Sequence, residues 1–244
     1  MPVVTAPLSY LGFHAVAILP VLGALALFAR YRLGSRRDVL AVTALLALLA
    51  LIYTTPWDNY LISRGVWWYG DGTVAVRFGL APLGEYLFFV LQPLLVGLWV
   101  ARFPVETDRP LATPLPTRAL GLLGAGVVAA AGLALLGDDS GLYLGSLLVW
   151  SAPILAIQWG FGWPFLADAW RTVAVGTLVP TLYLWVADRV AIALGIWTIS
   201  EVYTTGLAVP LLGLPIEEAV FFLVTSLFVV QGVVLYVWLV DRWH

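Results

Sequence analysis

The sequence predicts an all-α integral membrane protein of seven transmembrane helices. It further predicts two parallel three-helix repeats, helices 1–3 and 5–7, joined by helix 4. Three observations lead there: an apolar composition, an arginine bias between alternate connections, and residue blocks that recur at a nearly fixed offset.

Of the 244 residues, 62% are hydrophobic and 11% charged, against roughly 25% charged in a soluble domain. Mean hydropathy is +0.98. So few charges cannot cover a soluble globule of this size, which leaves the bilayer as solvent. Cysteine is absent, so disulfides and thiolate metal sites are excluded. His14 and His244 are the two histidines, too few for a histidine metal cluster. All 12 basic residues are arginine. The missing lysine excludes Schiff-base chemistry of the retinal kind. A net charge of −2 without a basic cluster argues against nucleic acid as a partner.

A spanning helix needs roughly 20 mostly apolar residues. Spans are expected near 9–29, 38–55, 82–101, 118–136, 142–161, 171–188 and 214–239. Met1–Tyr10 has no basic stretch ahead of its apolar run, so the first span is expected to be retained, not cleaved. Under seven spans, Arg30, Arg32, Arg36, Arg37, Arg102, Arg109, Arg118, Arg171 and Arg242 share one side. Arg64, Arg77 and Arg189 take the other. The positive-inside rule then puts the N-terminus outside and the C-terminus in the cytoplasm of a cell-membrane protein. The long connections 56–81 and 189–213 fall outside. They are rich in Trp, Tyr, Gly and Thr, as an interfacial or re-entrant segment or an aromatic belt would be.

The chain reads as one membrane domain over 1–244. Tyr10-Leu11-Gly12 and Pro20 recur as Tyr143-Leu144-Gly145 and Pro153, an offset of 133. Tyr53, Asp58, Gly65 and Trp67 recur as Tyr183, Asp188, Gly195 and Trp197, an offset of 130. Pro82, Glu85, Phe88 and Phe89 recur as Pro215, Glu218, Phe221 and Phe222, again 133 apart. Repeat one therefore covers about 8–101, the connector helix about 118–136 and repeat two about 141–240. Four helices separate the copies, so they share one orientation, related by a pseudo-two-fold along the membrane normal. The acids of the two copies are then expected to face a shared central cavity.

A carboxylate within a span costs about 2.5–3.5 kcal/mol near the bilayer centre. Glu85 follows Pro82 at the start of the third helix, and Glu217 and Glu218 follow Pro215 at the start of the seventh. Proline suits a first helical turn. An acid there interacts favourably with the helix dipole, so a capping role competes with a chemical one. The adjacent like charges of Glu217 and Glu218 favour keeping one protonated. A carboxyl in an apolar pocket can serve as an acid near neutral pH. Asp58 and Asp188 are expected to end helices 2 and 6, where the dipole opposes them. A salt bridge to Arg64 or Arg189 would account for them. Gln92 and Gln231, on helices 3 and 7, can orient an acid or bridge helices.

Aromatic residues crowd these motifs: Trp57, Trp67, Trp68, Tyr69, Trp197, Tyr203 and the pairs Phe88-Phe89 and Phe221-Phe222. They suit a core or belt, and together they can line a channel whose ring faces stabilise a cation. There is no Asp-x-x-x-Asp pair for magnesium and diphosphate, no Gly-x-Gly-x-x-Gly and no Gly-x-Ser-x-Gly. Acid–base chemistry on an apolar substrate, or proton movement, remains.

Thr55-Pro56-Trp57-Asp58-Asn59-Tyr60, followed by Gly65-Val66-Trp67-Trp68-Tyr69, resembles the membrane lycopene β-cyclases of archaea, some actinobacteria and fungi. The Pro-x-Glu and Pro-x-Glu-Glu segments are similar to that family's repeated acidic motif, and the likeness spans nearly the whole chain. Without a synthase domain, the chain resembles the fused archaeal form. It departs where Gly84 stands opposite Glu217. The resemblance implies conversion of the ψ ends of lycopene through γ-carotene to β-carotene, with no net redox change, no nucleotide cofactor and no metal. C2 is protonated, the C1 cation is attacked by the C5–C6 alkene, and the C6 proton leaves. Glu218, helped by Glu217 or Glu85, would be the acid, and Glu85 or Asp58 the base, with Asp188 alongside. Trp57, Trp67, Trp68, Phe88, Phe89, Trp197, Phe221, Phe222, Asn59 and Gln92 would hold a carotenoid substrate. A transporter or proton channel with repeated intramembrane acids, or a cyclase or isomerase of another polyprenyl chain, stays open on the residues alone.

Overall fold

The computed structural model describes residues 8–106, 108, 110 and 113–241. Arg109, Arg242 and His244 lie outside them. Among the described residues seven helices are long and apolar enough to cross a membrane. They are α1 (Tyr10–Leu27), α2 (Arg36–Arg64), α3 (Leu83–Val100), α4 (Leu115–Leu135), α5 (Leu142–Asp168), α6 (Trp170–Ala193) and α7 (Ile216–Val240). Four short strands complete the order: β1 (Trp67–Tyr69), β2 (Arg77–Phe78) and β3 (Ala81–Pro82) between α2 and α3, and β4 (Trp197–Ile199) between α6 and α7.

Local chemistry explains the helix ends. Ser9 caps α1 by accepting from the Gly12 amide at 3.1 Å. Ser35 caps α2 through the Asp38 amide at 3.1 Å. Gly65 ends α2 in the left-handed region (φ 72°), and Gly195 adopts the same conformation past α6 (φ 68°). Within α1, His14–Ile18 forms a π turn, and His14 Nδ1 pairs with the Tyr10 carbonyl at 3.0 Å.

Three helices outrun the expected spans, α2 and α6 on the strand-bearing side and α5 at its far end. α2 passes residue 55 to reach Arg64 with Pro56 inside it, and α6 passes 188 to reach Ala193. Asp58 and Asp188 are thus more than a turn inside their helices, not at the ends. Proline is tolerated within a spanning helix because neighbouring groups take up the freed carbonyl. The connections shorten accordingly and carry strands. α5 continues to Asp168 past a break at Gly162 (φ −156°, ψ 31°), close to where a span end was expected.

α3 and α7 form the centre, each packing on the other and on helices from both ends of the chain. At one end of the bundle Val96, Val100, Val230, Val233, Val234 and Trp238 make a fully buried apolar core. At the other end lies an aromatic cluster of Tyr10, Trp67, Tyr69 and Tyr143 with Leu61, Val66 and Ile196. α4 packs along α5, where Gly132 and Gly145 bring the backbones together: a Cβ on either would sit 2.8 Å from the other's carbonyl oxygen.

β1 and β4 pair antiparallel in the register Trp67↔Ile199, Trp68↔Thr198, Tyr69↔Trp197. The ladder continues with Gly70 N donating to Ile196 O at 3.1 Å and Ser200 N to Val66 O at 2.8 Å. These two bonds exchange under the 130-residue offset. Two others correspond when the first residue is shifted by 133 and the second by 130: Tyr10 N donates to Thr73 O at 2.9 Å, and Tyr143 N to Tyr203 O at 3.2 Å. Tyr53 OH donates to the Trp150 carbonyl at 2.8 Å, and its counterpart Tyr183 OH donates to the Ala17 carbonyl.

Candidate active site

Asp58 (α2), Glu85 (α3), Asp188 (α6) and Glu218 (α7) line one cavity of about 70 Å3 beneath the β1–β4 pair. The first-turn positions set by Pro82 and Pro215 aim the glutamates inward. The longer α2 and α6 carry the aspartates to the same depth. Asp58, Asp188 and Glu218 are all buried. Arg64 does not answer them: its side chain donates to Tyr60 OH at 3.0 Å. Arg189 Nε donates to the Leu212 carbonyl at 3.1 Å.

Neutral donors hold the acids instead. Tyr143 OH donates to Glu218 Oε1 at 2.9 Å. Tyr69 OH donates to Glu85 Oε1 at 2.7 Å, and Trp67 Nε1 donates to that hydroxyl at 3.1 Å. Burial, with the Glu85 carboxylate beside it, holds the Tyr69 phenol well above its ordinary pKa, so it stays a donor. Trp197 Nε1 donates to Asp188 Oδ1 at 2.9 Å. Among the described residues Asp58 Oδ2 and Asp188 Oδ2 are buried without a hydrogen-bond partner. Among the described residues no group of three or more His, Asp or Glu side chains is placed to hold a metal ion.

The walls are aromatic. Trp57, Trp67, Phe88, Phe89, Trp197, Phe221 and Phe222 all line the cavity, as the sequence suggested. Trp57 stacks on Phe221 at 6.0 Å and on Trp150 at 4.9 Å. Phe88 meets Phe222 edge-on at 5.8 Å. Such rings can keep water from a cavity, and their faces carry the negative part of the ring quadrupole.

Other expected residues stand elsewhere. Glu217 is fully buried but outside the cavity. Its Oε1 accepts from the amide and the hydroxyl of Thr205, both at 2.7 Å. Gly84 stands opposite it because a Cβ there would meet the Tyr10 ring at 2.4 Å. Trp68 points outward, 49% exposed. Asn59 Oδ1 accepts from Leu80 N at 2.8 Å and so pins the approach to α3. Gln92 donates to Ser226 Oγ at 3.3 Å and lines a neighbouring cavity. Gln231, low on α7, is buried with Oε1 unpaired.

Of the tyrosines that hold the acids, Tyr69 was named only among the aromatics around the motifs and Tyr143 only in the repeat. Tyr143 carries the same 133-residue offset to Tyr10 as Glu218 does to Glu85, and that signal would have found it. Phe13 and Ile199 line the cavity without any such sign.

No family model matches the chain, and no solved structure is similar to it. Curated relatives are. A lycopene beta-cyclase from Halobacterium salinarum is 50% identical over 239 residues, covering 97% of this chain and 99% of the relative. A bifunctional lycopene cyclase/phytoene synthase from Aspergillus niger is 35% identical over 245 residues, 95% of this chain and 41% of that protein. One from Gibberella fujikuroi is 34% identical over 218 residues, covering 85% and 37%. Half identity to a relative matched from end to end, on a seven-helix chain, settles the kinship: the chain belongs to the lycopene beta-cyclase family.

Proposed function

We propose that this chain cyclises the ψ ends of lycopene, by way of γ-carotene, to β-carotene. The observation that carries the reading is the convergence of Asp58, Glu85, Asp188 and Glu218 on one aromatic-walled cavity within the membrane-spanning bundle. A hydrocarbon dissolved in the bilayer has no polar group to grasp. Its alkene can only be protonated and its cation sheltered.

Glu218 gives its proton to C2 of the terminal alkene, and the positive charge falls on C1. The C5–C6 alkene attacks C1, the C1–C6 bond closes, and the charge moves to C5. Asp58 or Glu85 removes the C6 proton and the C5–C6 double bond returns. One proton enters and one leaves, so no oxidant or reductant is consumed. Proton transfer by a positioned group contributes roughly 10²–10⁴-fold. The Trp57, Trp67, Trp197 and Phe221 rings cover the cation.

The exchange of hydrogen bonds under the offsets supports two copies of one three-helix unit, about 8–101 and 141–240, with α4 as connector. The antiparallel β1–β4 register, centred on Trp68↔Thr198, is what a two-fold between the copies would produce. The arginine bias supports an outer N-terminus, a cytoplasmic C-terminus and a place in the cell membrane.

Pigment analysis of a lycopene-accumulating host tests the function. Expression of the chain is expected to convert lycopene to β-carotene. Unchanged lycopene, from folded protein in the membrane, would refute the reading.

A further inference from the structure

Beside the acid cavity lies a second space of about 450 Å3, enclosed by α2, α3, α5 and α7. Ordinary ligand pockets run from about 300 to 1,000 Å3. No charged side chain lines it. Two of its polar residues bond the backbone: Gln158 donates to the Phe228 carbonyl at 2.8 Å and Thr225 to the Phe221 carbonyl at 2.8 Å. It opens between α2 and α5, which do not pack along their length and are tied by the Tyr53–Trp150 bond. Leu49 and Ile157 flank the opening half-way along their helices, 50% and 72% exposed, at the level of lipid tails.

At the matching seam between α1 and α6, which likewise do not pack along their length, the positions equivalent to Ser151 and Thr54 carry the larger Ile18 and Leu184, both buried and both lining the acid cavity. Phe88, Phe89 and Phe221 line both the chamber and the acid cavity. At about 70 Å3 the acid cavity is smaller than the roughly 150 Å3 that holds a benzene. Admitting a chain end requires one of these rings to turn, and turning it joins the two spaces.

Resting on the function proposed above, we propose that the α2/α5 chamber binds the polyene of the substrate and is the route by which its ends reach the acids. One pocket then treats the two ends in turn: the monocyclic product withdraws through the chamber and returns reversed. The occupant is the long unsaturated hydrocarbon rather than a fixed lipid tail, because the chamber shares Phe88, Phe89 and Phe221 with the cavity that holds the carboxylates.

The test fills the chamber. Ala50→Trp, inside it, is compared with Leu48→Trp, which faces lipid on the same helix. Thr54→Leu, which copies Leu184 at the equivalent position of the α1/α6 seam, is the milder variant. In a lycopene-accumulating host Ala50→Trp is expected to lower ring formation about tenfold or more, the scale of an overfilled site, while Leu48→Trp matches the wild type. Purified Glu218→Gln is expected to retain coloured lycopene, and Ala50→Trp added to it to lose that pigment. If Ala50→Trp and Thr54→Leu cyclise and bind like Leu48→Trp while Glu218→Gln is inactive, the chamber is a lipid site and the inference falls with the function intact. If the wild type makes no rings, the function reading fails first.

Discussion

Tyr143 donates its hydroxyl to Glu218 at 2.9 Å from a helix 75 residues away in sequence. The bond ties the start of α5 to the start of α7 and fixes one oxygen of a carboxyl that lines the cavity. Tyr143→Phe keeps the ring and removes the bond. A hydrogen bond to a neutral carboxyl is worth about 0.5–1.5 kcal/mol, so turnover is expected to fall roughly two- to tenfold. Pigment yield per folded molecule measures it, and Tyr69→Phe, which removes the bond to Glu85, provides the comparison in the other half.

Glu217 holds a loop. Its carboxylate takes the Thr205 amide and hydroxyl, so Glu217→Gln is expected to cost about 1–3 kcal/mol of stability. Thermal unfolding in detergent measures the loss. Ring formation by the molecules that remain folded is expected to persist, in contrast to Glu218→Gln.

Gly84 is the contact through which α3 approaches Tyr10. Gly84→Ala places a methyl 2.4 Å from that ring. The ring or α3 must shift, at about 1–3 kcal/mol for overpacking. Both a lowered unfolding temperature and reduced turnover are expected, because Glu85 rides on the same first turn.

Because cysteine is absent, a single introduced one reports sidedness cleanly. Gly72→Cys, between β1 and β2, is expected to react in intact cells with a membrane-impermeant thiol reagent. Ser35→Cys, before α2, is expected to react only after permeabilisation. The opposite labelling would invert the proposed orientation.

The helix centres were legible because a lipid-facing helix announces itself by its apolar run. The ends were less so. Thr54-Thr55-Pro56-Trp57-Asp58-Asn59 reads as a polar break, yet in the folded protein Thr54 and Asp58 are buried against other helices. The paired glutamates and aspartates were legible from their shared spacing, as were most of the ring walls. What sequence could not distinguish was the direction of neighbouring side chains. Glu217 and Glu218 are adjacent, but helical rotation sends one to Thr205 and the other to the cavity. Likewise Trp68 faces out between Trp67 and Tyr69, as strand alternation requires. The β1–β4 pair was illegible because three-residue strands carry too short a pattern to reveal a partner 130 residues away.

The most direct measurement is carotenoid composition in lycopene-accumulating cells expressing Glu218→Gln, with the membrane-inserted, folded protein quantified beside the wild type. The amide keeps the shape and cannot give up the proton. Lycopene without cyclic product is the expected result, and wild-type levels of β-carotene would contradict proton donation by Glu218.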